Sequence, residues 1–172
     1  MDINELRNLY AHLEKTKITL QTQLLKEEKI ELMDLQTPGL PGAECEYSNG
    51  VLKFTFPDKL PMLSKSDHYD REMFNLWGGQ LAHAYCKLEK SVSFQRAMCV
   101  IRITDKDTTF WDVDNRNIRH IINALRINLI IEEDKWENLS VAVIGNRGRE
   151  NKTEVFIFDH AKIDALLSEI CS

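Results

Sequence analysis

Two aspartates stand one residue apart in the segment Trp111-Asp112-Val113-Asp114-Asn115. On an extended chain, side chains two positions apart share a face, so both carboxylates can address one ion. Glu132-Glu133-Asp134 follows one helix length later and offers three more acids. An oxygen-rich set of this kind suits Mg²⁺ or Mn²⁺. Asp112, Asp114 and Asp134 are the expected ligands, with Glu133 as an additional candidate. Acids placed after a helix C-terminus face the negative end of its dipole, which disfavours them by roughly half a kcal/mol. A bound cation would offset that cost, and so would exposure to water. The alternative is structural: Asp114 or Asn115 caps a helix, and residues 132–134 form a solvated turn.

Positive groups flank these acids. Arg116, Arg119, His120 and Arg126 share the polar side of the segment between the two acidic stretches, and Arg147, Arg149 and Lys152 lie in a glycine-containing turn further on. Both sets are placed to touch phosphates, and Arg116, Arg126, Arg147, Arg149 and Lys152 are the expected nucleic-acid contacts. The competing reading is an ordinary charged surface. The whole chain has 22 basic and 27 acidic residues, a net charge of −5, which excludes a diffuse positive field, so any DNA contact must be local. Cys45, Cys86, Cys99 and Cys171 contain no C-x-x-C pair and read as unpaired structural thiols. His12, His68, His83 and His160 have no partner at ligand spacing. No phosphate-loop, nucleophile-elbow or zinc pattern is present.

The elements that must position these groups follow from hydrophobic periodicity. Residues 3–32 contain neither Gly nor Pro, and Ile3, Leu6, Tyr10, Leu13, Leu20 and Leu24 make one helical stripe, which either lies on its own domain or forms a short dimer seam. Thr37-Pro38-Gly39-Leu40-Pro41-Gly42 stops that helix. After the turn dipeptide Asn49-Gly50, residues 51–56 alternate as a first strand ended by Pro57. A second helix spans about 69–90, with Gly78-Gly79 as a close-packing point or kink. Residues 97–104 form a continuous apolar run expected at the middle of a sheet. A third helix spans about 115–128 and buries Ile118, Ile121, Ile122 and Leu125. Two strands, 139–144 and 153–158, read as a hairpin that closes the sheet, and Asp159 opens a last helix over 160–170.

With 172 residues, 43% of them apolar and 28% charged, the chain fits one globular domain with a helical appendage, which excludes a disordered, collagenous or disulfide-scaffold protein. No apolar run reaches the length of about 20 residues that a membrane helix needs. The start, Met1-Asp2-Ile3-Asn4-Glu5, lacks the character of a signal peptide, so a cytoplasmic location is expected.

The acids and the order of elements together resemble the RusA-type Holliday-junction resolvases over about residues 51–158. That family shows Asp-x-Asp-Asn at the start of a helix, a lysine within its first turns, Asp-Ala-Leu, and an Asp-Asp pair after an apolar stretch. Here Asp112-Val113-Asp114-Asn115 matches the first motif, Asn123-Ala124-Leu125 stands where Asp-Ala-Leu is expected, and Glu133-Asp134 follows Leu129-Ile130-Ile131. Arg119 takes the lysine's place one residue further on; it keeps the charge but does not readily lose a proton.

The resemblance implies an α+β, RusA-like fold, a small mixed four-stranded sheet covered by helices, to which the long N-terminal helix and the last helix, read from periodicity, are additions. Its expected parts are an N-terminal helix and dimer arm at 1–36, a connector at 37–50, the core at 51–158 and a C-terminal helix at 159–172. It further implies a homodimeric, Mg²⁺- or Mn²⁺-dependent endonuclease for branched DNA, with Asp112, Asp114 and Asp134 on the metal and Arg119 on the phosphate. The alternative is a catalytically inactive module that binds branched DNA or a protein partner, the latter through the N-terminal helix.

Overall fold

The computed structural model describes residues 42–63, 67–106 and 115–171, together with positions 2, 5, 9, 13, 16 and 20. Of the expected N-terminal helix, positions 5, 9, 13, 16 and 20 are helical. Glu5 N–H donates to Asp2 Oδ1 and Asp2 N–H donates to Glu5 Oε2, a reciprocal box at a helix start. The remainder of that helix, and its dimer-arm role, lie outside the described residues.

The core is a mixed five-stranded sheet of order β1-β2-β5-β3-β4. Its strands are β1 (Glu44–Ser48), β2 (Val51–Phe56), β3 (Ala97–Asp105), β4 (Leu139–Arg147) and β5 (Lys152–Asp159). Only β3 and β4 run parallel; the other neighbours are antiparallel. Helices α1 (Asp67–Cys86), α2 (Arg119–Ile127) and α3 (Ile163–Cys171) cover it, so the α+β expectation holds at that level. No helix among the described residues is long and apolar enough to cross a membrane.

The sheet has one strand more than expected, because part of the connector at 37–50 is β1. Asn49 (φ 53) and Gly50 (φ 81) form a two-residue turn between Ser48 and its register partner Val51. Glu-Cys-Glu-Tyr-Ser is largely exposed on an edge, so its polar composition hides the strand from periodicity.

A second correction concerns topology. The strands β4 and β5 are not a hairpin: β3 lies between them, paired in parallel with β4 and antiparallel with β5. Residues 148–151 therefore arch over the C-terminal end of β3, where Gly148 N–H donates to the Asp105 carbonyl (3.1 Å). The near-continuous burial of β3 explains the choice, since a strand covered on both faces belongs between two partners.

Alternation sorts each strand between two cores. Leu52, Phe54, Cys99, Ile101, Ile103, Val155 and Ile157 face α1 and α2, where Met73, Trp77, Leu81, Ile121 and Leu125 meet them. Gly78 of α1 faces Ala124 of α2, the expected close-packing point. Met98, Val100, Phe156 and Phe158 face α3, whose Ile170 is buried on them. Among the described residues, the rest of that face, around Arg102, Thr104, Lys152 and Glu154, has no apolar cover.

Candidate functional site

Buried polar groups gather at the end of the sheet where β3 finishes. Lys59, Asp105, Arg116, Asn117, His120 and Thr153 are all buried there. Lys59 Nζ lies 3.0 Å from Asp105 Oδ2, and Arg116 Nη2 lies 4.0 Å from the same oxygen. Arg116 Nη1 donates to the Leu60 carbonyl at 2.6 Å. Thr153 Oγ1 accepts from Leu60 N–H and donates to the Asp58 carbonyl. Asn117 Nδ2 and His120 Nε2 are 2.9 Å apart. Such a concentration of buried polar groups is costly in a core and is typical of a working site or of its support.

These contacts hold both stems of the segment that carries the paired aspartates. On its N-terminal side, Lys106 N–H donates to Asn151 Oδ1 (3.0 Å), which ties the end of β3 to the arch between β4 and β5. On its C-terminal side, Leu63 N–H donates to the Asn115 carbonyl (2.8 Å) and Asn117 N–H to the Pro61 carbonyl (3.0 Å). Residues 115–117 are therefore pinned against 61–63, and α2 begins at Arg119 rather than at the expected Asn115. Asp112 and Asp114 themselves lie outside the described residues.

The other expected site residues divide among four places. Arg119 is exposed at the start of α2. Arg147, Arg149 and Lys152 sit at the arch, beside the stem at Lys106. Arg116 is not on the polar surface: it is 5% exposed, because its guanidinium satisfies the Leu60 carbonyl and faces Asp105. Likewise His120 turns inward beside the Phe74 ring.

Asp134 and Glu133 lie at the opposite end. Ile131 bridges to Phe94, and Asn138 accepts from Ala97 N–H, so residues 131–138 flank the start of β3. Asn115 flanks its end. The nine residues of β3 span about 30 Å at roughly 3.3 Å per residue. Asp134 is exposed, 3.6 Å from Arg126, and Glu133 is 2.6 Å from Lys135. Carboxylates are the donors a hard divalent ion takes, but the described acids do not converge: among the described residues no group of three potential ligands forms.

On the other face of the sheet, Glu154 is surrounded by Arg102 (2.9 Å), Lys53 (3.4 Å) and Lys152 (3.4 Å). Burial opposes its ionisation. The charge and hydrogen bond of Arg102, with Lys152 and Lys53, outweigh that and hold the carboxyl below the usual range. Sequence reasoning missed Lys59, Asp105 and Glu154. A charged residue ending or interrupting an apolar strand was the available signal for Asp105 and Glu154; Lys59 stands in a loop with none.

No protein-family model matches the chain, and no curated protein does. Among solved structures, the crystal structure of the periplasmic domain of Helicobacter pylori MotB (residues 90-256) aligns with a TM-score of 0.39 and 18% identity, over 77% of this chain and 88% of that one. A likeness of that degree carries no functional argument.

Proposed function

We propose that the protein is a metal-dependent endonuclease acting on branched DNA, in the manner its RusA-like motifs suggest. The supporting observation is the tie between the stem of the aspartate-bearing segment and the basic arch, through Lys106 N–H to Asn151 and Gly148 N–H to Asp105. In this reading the arch residues Arg147, Arg149 and Lys152 hold the sugar–phosphate backbone while Arg119 steadies the phosphate beside Asp112 and Asp114. Bound by those two aspartates, Mg²⁺ or Mn²⁺ would supply an activated water and neutralise charge developing on the phosphate. A homodimer would present two such sites to the two related strands of a four-way junction.

The test is nicking of a synthetic four-way junction with Mg²⁺ or Mn²⁺. Wild type should nick it, and Asp112→Asn should abolish nicking while the circular dichroism spectrum is unchanged. No nicking under conditions where an established resolvase cuts would overturn the proposal.

The second reading, a module that binds branched DNA without cutting, is favoured by one observation: Asp134 is paired with Arg126 at the end of β3 remote from Asn115. Junction binding that is indifferent to divalent metal, without nicking, is its signature.

A further inference from the structure

We infer that the part of this sheet face that no described helix covers carries a phosphate-binding site, centred on Thr104 and walled by the arch between β4 and β5. An open cleft of about 460 Å³ lies there, lined by Arg102, Thr104, Arg147, Gly148, Arg149 and Lys152, with Glu150 and Glu154 as the acids. It occupies the opposite face of the sheet from the Lys59–Asp105 pair, since Thr104 and Asp105 are neighbours on one strand.

Charge is the first argument. Four basic side chains line the cleft against two carboxylates, an excess of 4 − 2 = 2 positive charges. Glu154 is already engaged by Arg102, Lys152 and Lys53. Arg147 and Arg149 have no carboxylate partner among the described residues and stand exposed at the rim. Arginine forks of this kind match the paired oxygens of a phosphate group.

The second argument is independent of charge. Thr104 is 4% exposed and its Oγ1 is buried with no hydrogen-bond partner among the described residues. A buried hydroxyl left unpaired costs about 1–3 kcal/mol; Oγ1 is closed to solvent, so a ligand oxygen satisfies it only with a small shift of the arch at Gly148. Gly148 lets the arch pass close over Thr104, because any side chain there would run into the Thr104 methyl. Arg102 gives the floor its rigidity: it donates to Glu154 and, through Nη1, to the Ile170 carbonyl of α3, and its guanidinium lies over the Phe156 ring.

The ligand is a phosphate group, either free as a small phosphate ester or as part of a DNA backbone. The site shares Arg147, Arg149 and Lys152 with the nuclease reading, but it rests neither on a bound metal nor on cutting.

Titration of the full ¹⁵N-labelled chain with sodium phosphate, against sodium chloride at matched ionic strength, tests it. Saturable shifts of the Thr104 and Gly148 amides are expected with phosphate alone, and Thr104→Val and Arg149→Gln should each weaken binding by about fivefold to tenfold. Equal response to chloride, no saturation, or folded variants that bind like wild type would overturn the inference; if neither variant folds, the phosphate-versus-chloride comparison on wild type decides. A second arm measures a labelled four-way junction. Weaker junction binding in both variants assigns the phosphate to DNA, and unchanged junction binding assigns it to a small ester. Phosphate binding in a protein that never nicks would sink the nuclease reading and leave this one standing.

Discussion

Lys59 and Asp105, 46 residues apart in the chain, form a buried ion pair with Nζ 3.0 Å from Oδ2. Arg116 approaches the same oxygen from the stem that leads into α2. The pair therefore joins the loop after β2, the end of β3 and the start of the α2 region, which are the parts that hold the aspartate-bearing segment. Removing one partner leaves the other's charge buried with less compensation, a loss of up to about 3–5 kcal/mol and smaller for Lys59→Met, since Arg116 still faces Asp105. Asp105→Asn and Lys59→Met should each lower stability in urea unfolding, the first by more. The double variant should lose at least 1 kcal/mol less than the sum, on the order expected for contacting residues. Additive losses would show that the two side chains act separately.

Glu154 predicts the acid limb of the stability curve. Its folded carboxyl is held below the ordinary range by Arg102, Lys152 and Lys53, against the opposing effect of burial. The unfolded chain then binds the proton more readily than the folded one. The contribution is complete above the unfolded value of about 4.3, and is lost as pH falls from there through the lower folded value. Glu154→Gln should be less stable than wild type at neutral pH, and the two stabilities should converge below pH 4. Parallel curves would deny the carboxylate this role.

Salt dependence reports on the arch. If Arg147, Arg149 and Lys152 contact duplex phosphates, each neutral substitution should reduce the slope of log K against log salt by about 0.9. Arg126→Gln provides the comparison, since its guanidinium is paired with Asp134 far from the arch. Equal slopes for all four variants would remove the arch from the DNA interface.

Leu129 has φ 56 and is exposed at the C-terminal end of α2. A left-handed residue with a Cβ costs roughly 1–2 kcal/mol, part of which glycine's greater unfolded-state entropy cancels. Leu129→Gly should therefore raise stability, by up to about 1 kcal/mol, with a corresponding rise in melting temperature. A fall in melting temperature would mean that the exposed Leu129 side chain makes a compensating contact.

Thiol reactivity separates the cysteines. Burial pushes the Cys99 thiol up to about 12, and burial with the nearby Glu46 charge does the same for Cys45. Cys86 is exposed at the end of α1. Iodoacetamide at pH 8 should alkylate Cys86 in the native protein and leave Cys99 unmodified until denaturant is added, as peptide mass mapping would show.

The amino-acid sequence alone determined the local elements apart from β1, whose exposed polar residues carry no period. Periodicity of two marked 51–56, the apolar run at 97–104 declared a strand buried on both faces, and the period near 3.6 placed the helices that became α1, α2 and α3. Those signals are local: they depend only on which side chains share a face of one element. Tertiary structure decided what lies beside what. It inserted β3 between β4 and β5, turned Arg116 inward to the Leu60 carbonyl, paired Lys59 with Asp105, and set Asp134 a strand's length from Asn115. Each of these relations joins residues distant in the chain, and the energy that selects them is a desolvation and pairing energy that exists only once the chain has closed around them.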